Sequence, residues 1–287
     1  MKKQIKNIIK NVVSFFSKLI YTSLWLLKML LKENFKNYIT TKNKYNDKLA
    51  VLGNGPSLKN NINEIRQMQD TDFVVVNHIS QDSLFEQIKP QNYVLADPLF
   101  FEEGHITSKE EKTLEAINNI TWKMNLYIPY YARKSYKKYI NNPLITVEFF
   151  HAIPFKGFKF IKKYIYNKGL SLPTPNNVLI PSLYVGITKG YKEIKLYGAD
   201  FSWIKELCVT NRNIVCRSDA HFYEDSTSHI KPWTDSNGIP YTMYSILTTL
   251  ADGFLSFYEI EEIAKGTNCK IYNMNPNSYI DCFEKLI

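Results

Sequence analysis

The sequence predicts an α/β fold, a doubly wound and mostly parallel sheet flanked by helices. Short apolar runs at 49–52, 73–76 and 93–96 have the length and composition of strands buried on both faces. Amphipathic segments at 62–68 and 84–88 separate these runs, and such alternation is typical of a parallel sheet with crossover helices. Of the 287 residues, 45% are hydrophobic, which is enough for a buried core.

Later segments extend this pattern. An apolar helix predicted over 178–189 leads into a strand at 194–197, and a long helix over 244–265 precedes a strand at 270–272. Two further stretches, rich in lysine and tyrosine, are predicted to be helical, over 130–139 and 155–166.

Three regions follow from this pattern. Residues 1–40 are predicted to form a basic amphipathic helix, 41–47 a linker, and 48–287 the α/β domain, with a lid over about 203–240.

The N-terminal helix is predicted to associate with a membrane. Lysines recur between its apolar residues, and Lys18 and Lys28 leave the uninterrupted apolar stretch too short for a regular transmembrane span. No small-residue cleavage site of a signal peptide follows. An interfacial helix with its lysines against anionic lipid fits both features. The alternative is a helix that packs on the catalytic body or on a partner chain.

The formal charge of +9 favours anionic partners, namely a phosphorylated donor, an acidic glycolipid or an anionic membrane. Nucleic acid is not expected, because no zinc-finger spacing, aromatic-basic signature or helix-turn-helix is present. The four cysteines form no CxxC pair, so we expect reduced thiols and no bound metal, and a disulfide between Cys208 and Cys216 in an oxidising compartment is the alternative.

A glycine-containing loop, Gly53-Asn54-Gly55-Pro56-Ser57, follows the first predicted strand. In an open parallel sheet this is where a phosphate usually meets backbone amides. Gly53 and Gly55 permit close approach, and Asn54 offers its amide to a nucleotide. Ser57 either binds phosphate or ribose or simply caps the next helix. The loop matches neither GxGxxG nor a Walker motif, which disfavours a nicotinamide enzyme and a P-loop kinase.

Polar residues follow other predicted strands at the same sheet edge. Asn77 and Asp97 are candidates to bind ribose, base or sugar hydroxyls, with ordinary turn roles as the alternative. Asn177 opens the apolar helix, where amides suit an anion, or is a plain N-cap. Gly198 and Asp200 end a later strand, and Asp200 either binds substrate hydroxyls or locks its own loop.

Residues 217–233 are polar, aromatic and weakly periodic, which fits a lid over the site. His221 and His229 lie in this segment. A neutral imidazole takes a proton from an acceptor hydroxyl near neutral pH, so either histidine is a candidate general base. The alternative is that both are ordinary surface residues.

In combination, five stretches resemble bacterial lipooligosaccharide sialyltransferases that use CMP-sialic acid. They are 51–58, Asn77, 97–101, 190–201 and 275–278. The resemblance implies a GT-A-like variant of the fold with a lid, and metal-independent transfer with inversion at the anomeric carbon. It also implies a histidine base in the lid and nucleotide contacts from Asn54, Ser57 and Asn77.

The sequence departs from the family pattern at three places. The family has asparagine where Asp97 stands, a phosphate-binding tyrosine where Ser202 falls, and Arg-x-Thr-Ser-Gly where this chain has 174–178. Tyr223 or Arg217 is a candidate to replace that tyrosine. The glycine loop also resembles 6-hydroxymethylpterin pyrophosphokinase-like proteins and flagellin glycosyltransferase-associated domains.

The sequence therefore predicts a glycosyltransferase that moves a sialic acid-like or related sugar from a CMP-type donor to a cell-surface glycan or glycolipid precursor. We expect it at the cytoplasmic face of the inner membrane, peripherally bound, with no cofactor besides the donor substrate, and homo-oligomer formation is left open. A pterin-type pyrophosphokinase and a non-catalytic, membrane-tethered nucleotide-binding protein are the alternatives.

Overall fold

An eight-stranded sheet forms the centre of the molecule, and all neighbouring strands in it are parallel. The computed structural model describes residues 2–41, 44–102, 106–218, 230–234 and 238–286. The strands are β1 Lys48–Leu52, β2 Thr71–Val76, β3 Asn92–Val94, β4 Met124–Pro129, β5 Ile145–Phe150, β6 Glu193–Tyr197, β7 Leu207–Val209, β8 Val215–Ser218, β9 Ile230–Pro232, β10 Lys270–Asn273 and β11 Glu284–Lys285. The α-helices are α1 Lys2–Lys32, α2 Ile62–Gln67, α3 Ser83–Ile88, α4 Ser108–Asn118, α5 Lys159–Asn167, α6 Leu179–Thr188 and α7 Met243–Gly266.

The central sheet is doubly wound. Its strand order is β11-β10-β6-β1-β2-β3-β4-β5, so the chain builds outward from β1 to β5 and then returns to the other side of β1. Side chains alternate along β1: Leu49 and Val51 join one apolar core, Ala50 and Leu52 the other. The first core includes side chains of α1, α5, α6 and α7, and the second includes those of α2, α3 and α4. The predicted α/β fold class is confirmed.

Between β4 and β5 the structure differs from the sequence-based prediction. The helix predicted over 130–139 is wrong, because the chain forms two short 3-10 helices there, Tyr130–Lys134 and Tyr136–Lys138. The helix predicted over 155–166 begins only at Lys159. Residues predicted to be a lid include a small antiparallel sheet of order β7-β8-β9.

The C-terminal half of α1 is docked on the body of the protein. Trp25 is 4% exposed and donates its indole N–H to the carbonyl of Ile153 over 3.3 Å, and Met29 is fully buried. The Trp25 ring also packs edge-on against Phe155 with 5.3 Å between centroids. Measured by length and composition alone, α1 is apolar enough to cross a membrane, and little of it is buried within the protein.

The described residues between α1 and β1 are anchored rather than free. The carboxylate of Glu33 lies 2.7 Å from the buried His151 ring. The amide of Thr40 donates to Glu148 over 2.9 Å, and the amide of Tyr45 donates to the buried carboxylate of Asp72 over 2.9 Å. Through these bonds α1 is joined to the sheet without a flexible spacer in the described part of this segment.

Candidate functional site

A cleft of about 360 Å³ opens at the carboxyl ends of β1 and β6. These two strands are neighbours, and the chain continues from them to opposite sides of the sheet, so they define the switch point at which open α/β sheets bind ligands. The cleft is lined by most of the predicted site residues: Asn54, Gly55, Asn77, Asp97, Asn177, Gly198, Asp200 and Ser202. The topology thus brings together side chains from five separate loops.

The glycines of the first loop hold it against the loop after β6. The amide of Gly53 donates to the carbonyl of Tyr197, and the amide of Gly55 to that of Gly198, each over 2.8 Å. A Cβ atom on Gly55 would lie 1.9 Å from Oδ2 of Asp200, and Gly198 adopts a φ of +61°. The two glycine amides are therefore already hydrogen-bonded within the protein and are not available to bind a phosphate.

Asp200 joins three strand-end loops through its carboxylate. Its Oδ2 accepts from the hydroxyl of Ser57 over 2.8 Å and from the Ser57 amide over 3.3 Å. Its Oδ1 accepts from the side-chain amide of Asn275 over 3.0 Å, and Asn275 follows β10. Of the two roles left open by the sequence, the contacts favour loop locking, and they assign Ser57 to the same task.

Two side chains in the cleft carry polar atoms that no protein group satisfies. Oδ1 of Asn54 and Oδ1 of Asn77 are both buried, and neither has a hydrogen-bond partner in the described part of the chain. Asn77 has a φ of +48°, a conformation that asparagine tolerates better than most residues. Its carbonyl accepts a hydrogen bond from the buried Tyr93 hydroxyl, which fixes the strand end. Buried polar atoms are nearly always paired, so these two oxygens are candidates to accept hydrogen bonds from a ligand. The Tyr127 hydroxyl and Nδ2 of Asn273, which do not line the cleft, also have no hydrogen-bond partner among the described residues.

The remaining predicted side chains line the opposite wall. Oδ1 of Asn177 accepts from the amide of Leu179 over 2.8 Å, so Asn177 caps the first turn of α6, whose amino end faces the cleft. Oδ1 of Asp97 accepts from the amide of Leu99 over 3.0 Å. Partial desolvation raises the pKa of Asp97 above its ordinary value, and the Leu99 bond lowers it in part. Ser202 ends the β6 loop and precedes a 3-10 turn.

Aromatic residues beside Asp200 form a wall that the sequence analysis missed. Phe201 and Trp203 line the cleft with their rings 5.1 Å apart. Phe201 has a φ of +48° and packs on Phe254 of α7 at 4.7 Å between centroids. In the sequence, the signal for this wall is an aromatic pair directly after a strand-end aspartate, at a spacing that matches no named motif.

Three predicted residues, His221, Tyr223 and His229, lie outside the described residues, so their roles stay predictions. Among the residues that the structure describes, no three histidine, cysteine or carboxylate side chains are grouped so that they could hold a metal ion.

No known family profile matches the chain, and no curated protein matches it. Solved structures show similarity to the sialyltransferase CST-II in complex with a trisaccharide acceptor and CMP, at 17% identity and a TM-score of 0.41, over 83% of this chain and 85% of that one. The CstII sialyltransferase of Campylobacter jejuni with CMP-3FNeuAc gives 19% identity and a TM-score of 0.41, over 83% and 86%. The MAf glycosyltransferase of Magnetospirillum magneticum AMB-1 gives 11% identity and a TM-score of 0.48, over 88% of this chain but only 35% of that one. These similarities are too weak to carry an activity over to this chain.

Proposed function

We propose that the chain is a glycosyltransferase that takes a sialic acid-like or related sugar from a CMP-type donor. The observation that carries this proposal is a pair of buried oxygens, on Asn54 and Asn77, that have no partner among the described residues and lie in a cleft at the switch point of the sheet. A cytosine amino group and ribose hydroxyls are donors of the kind that these oxygens lack. The motif resemblance to CMP-dependent sialyltransferases supports the same class of donor.

The donor phosphate is assigned to the wall formed by the amino end of α6. The amides of Gly53 and Gly55 are bonded to β6 and to the residue after it. At the amino end of α6 the amides of Leu179 and Ile180 are also bonded, both to Asn177, so the assignment there rests on the favourable helix dipole rather than on free N–H groups. Asn177 orders that first turn through its bond to Leu179.

Transfer requires a base for the acceptor hydroxyl. The bond between the anomeric carbon and the donor phosphate oxygen breaks, CMP leaves with that electron pair, and the acceptor oxygen attacks from the opposite side. We assign the acceptor proton to the imidazole of His221 or His229, which matches the chemistry of a neutral histidine near neutral pH. The product glycoside then has the inverted configuration.

The acceptor is proposed to be a cell-surface glycan or glycolipid precursor at the cytoplasmic face of the inner membrane. The exposed apolar and basic surface of α1 supports peripheral attachment there, because such a helix binds anionic lipid. Since α1 is anchored to the body through Trp25 and Glu33, attachment would hold the catalytic domain itself close to the lipid.

The test is CMP release from CMP-sialic acid and other activated sugars by purified protein with oligosaccharide acceptors. Asn54→Ala and Asn77→Ala should each weaken donor binding about 10-fold, because one hydrogen bond to the ligand is lost. Asn63→Ala, exposed on α2, is the matched control and should bind like wild type. Absence of release with every nucleotide sugar, together with turnover of ATP and a pterin, would replace the proposal by a pyrophosphokinase. Tight nucleotide binding without any turnover would indicate a non-catalytic protein.

The assignment of the general base to His221 or His229 is tested by measuring turnover and donor binding in single variants. His221→Ala should lower turnover at least 100-fold while leaving the donor Kd nearly unchanged, since a base acts on the acceptor. If turnover survives in that variant and falls in His229→Ala, the base is His229. Full turnover in both variants would remove the lid histidines from the mechanism.

A further inference from the structure

The exposed apolar surface of this protein is concentrated on one face of the sheet. Among the described residues, the large apolar side chains that are exposed on α-helices belong to α1, α5 and α7, and none belongs to α2, α3 or α4. The helices of the second core thus have an ordinary polar exterior, whereas those of the first core do not. Clustered exposed apolar surface marks a binding site for a partner or a membrane.

Outside α1, the most exposed of these groups is Tyr244 of α7, at 81%, and helix α5 carries the next two. Phe160 is 76% exposed and Tyr164 is 61% exposed, one helical turn apart. They are continuous with α1, because Phe158 packs against Phe160 at 5.8 Å and against Phe15 at 5.5 Å between ring centroids. The two helices therefore present a single aromatic surface.

The charge around this surface favours an anionic membrane as its binding partner. Helix α1 contains seven lysines and no acidic residue, and Lys156 and Lys163 are exposed before and within α5. Two other lysines of α5, Lys159 and Lys162, form ion pairs with Glu262 and Glu259 of α7, so the excess positive charge of the surface comes from α1, Lys156 and Lys163. A second copy of the chain would bring these like charges together, whereas anionic lipid headgroups neutralise them. Aromatic rings beside lysines are also the composition of interfacial membrane anchors.

We propose that α5 is a second membrane contact, so that Phe160 and Tyr164 enter an anionic bilayer surface beside α1 and fix the orientation of the domain. This rests on the membrane attachment proposed above for α1, but not on the transfer chemistry. With two anchored elements in contact with lipid, the α2, α3 and α4 face must point away from the bilayer.

The test uses the full chain bound to vesicles of phosphatidylglycerol and phosphatidylethanolamine. Benzoylphenylalanine, a photo-crosslinking residue, is placed singly at Phe160, at Phe16 of α1 or at Glu115 of α4. We expect lipid adducts at the first two positions and none at Glu115, which is exposed on the opposite face. Adducts at Phe16 without any at Phe160 would overturn the proposal, as would protein–protein adducts at Phe160 or equal labelling at Glu115.

Absence of adducts at both Phe16 and Phe160 would show that membrane attachment itself is wrong, while CMP release with soluble acceptors still tests transfer separately. Partitioning gives a second readout. Lys163→Gln should weaken binding to the anionic vesicles about five-fold, the effect of one lysine near a charged surface. Lys112→Gln, exposed on α4, should leave it unchanged. Equal effects of the two substitutions would contradict the proposed orientation.

Discussion

Removing the carboxylate of Asp200 should destabilise the three strand-end loops that it joins. This carboxylate accepts from the Ser57 hydroxyl at 2.8 Å, from the Asn275 side chain at 3.0 Å and from the Ser57 amide at 3.3 Å. A hydrogen bond to a charged group contributes about 1.5–3 kcal/mol, and the longest of the three contributes less. The freed partners regain some bonding to water in the open cleft. We therefore expect Asp200→Ala to lower the free energy of unfolding by about 3 kcal/mol.

Urea unfolding followed by circular dichroism measures this change, with Glu115→Ala as a control that removes an exposed carboxylate. The specific contact is measured by a double-mutant cycle. Ser57→Ala alone should lower stability by about 1 kcal/mol and should add little to Asp200→Ala, which corresponds to a coupling energy of about 1 kcal/mol. Additive effects of the two substitutions, or a loss below 0.5 kcal/mol for Asp200→Ala, would refute the locking role and return Asp200 to direct substrate binding.

Two further changes test the packing and the electrostatics. Gly55→Ala places a methyl group 1.9 Å from Asp200 Oδ2 and 2.5 Å from the Gly198 carbonyl, so it should lower the unfolding free energy by about 2 kcal/mol and weaken nucleotide binding in a titration. Wild-type behaviour would show that the two loops are not in contact. Burial lowers the pKa of Lys189 to about 8 from 10.5, so the unfolded chain binds more protons between these values and stability should rise with pH across that window. The rise attributable to Lys189 is at most about 3 kcal/mol, and a difference between wild type and Lys189→Met that stays constant from pH 7 to 10 would contradict the shift.

Two strands of the central sheet, β4 and β5, were not predicted, and each has a buried polar residue within its apolar run. In β4, Asn125 is fully buried and donates to the side chain of Asn92 over 3.4 Å. In β5, Glu148 is 5% exposed and accepts from the amide of Thr40. Both polar groups are satisfied by residues far away in the sequence, and periodicity in a local window contains no information about such partners.

The site shows the same division between local and distant information. Polar residues at strand ends could be predicted to converge, because parallel strands finish at one edge. The roles of individual residues could not be predicted. Ser57 and Asp200 are separated by 143 positions in the sequence, and they are in contact because β1 and β6 are neighbouring strands. Strand order was not available from the sequence. Ser57 was predicted to bind phosphate or ribose or to cap a helix, whereas in the structure its hydroxyl donates to Asp200.

The polar groups of the cleft are of two kinds: some are hydrogen-bonded to other parts of the protein, and others could bind a ligand. Gly53, Gly55 and Asp200 direct their hydrogen bonds to other protein loops, which fixes the positions of the walls before any ligand arrives. Asn54 and Asn77 lie on those fixed loops with buried oxygens that no residue in the described part of the chain pairs, and an unpaired buried acceptor costs about 1–3 kcal/mol. A ligand with two correctly spaced donors removes both penalties at once, and one without them leaves both in place. Discrimination at this site should therefore follow the donor pattern of the ligand more than its size.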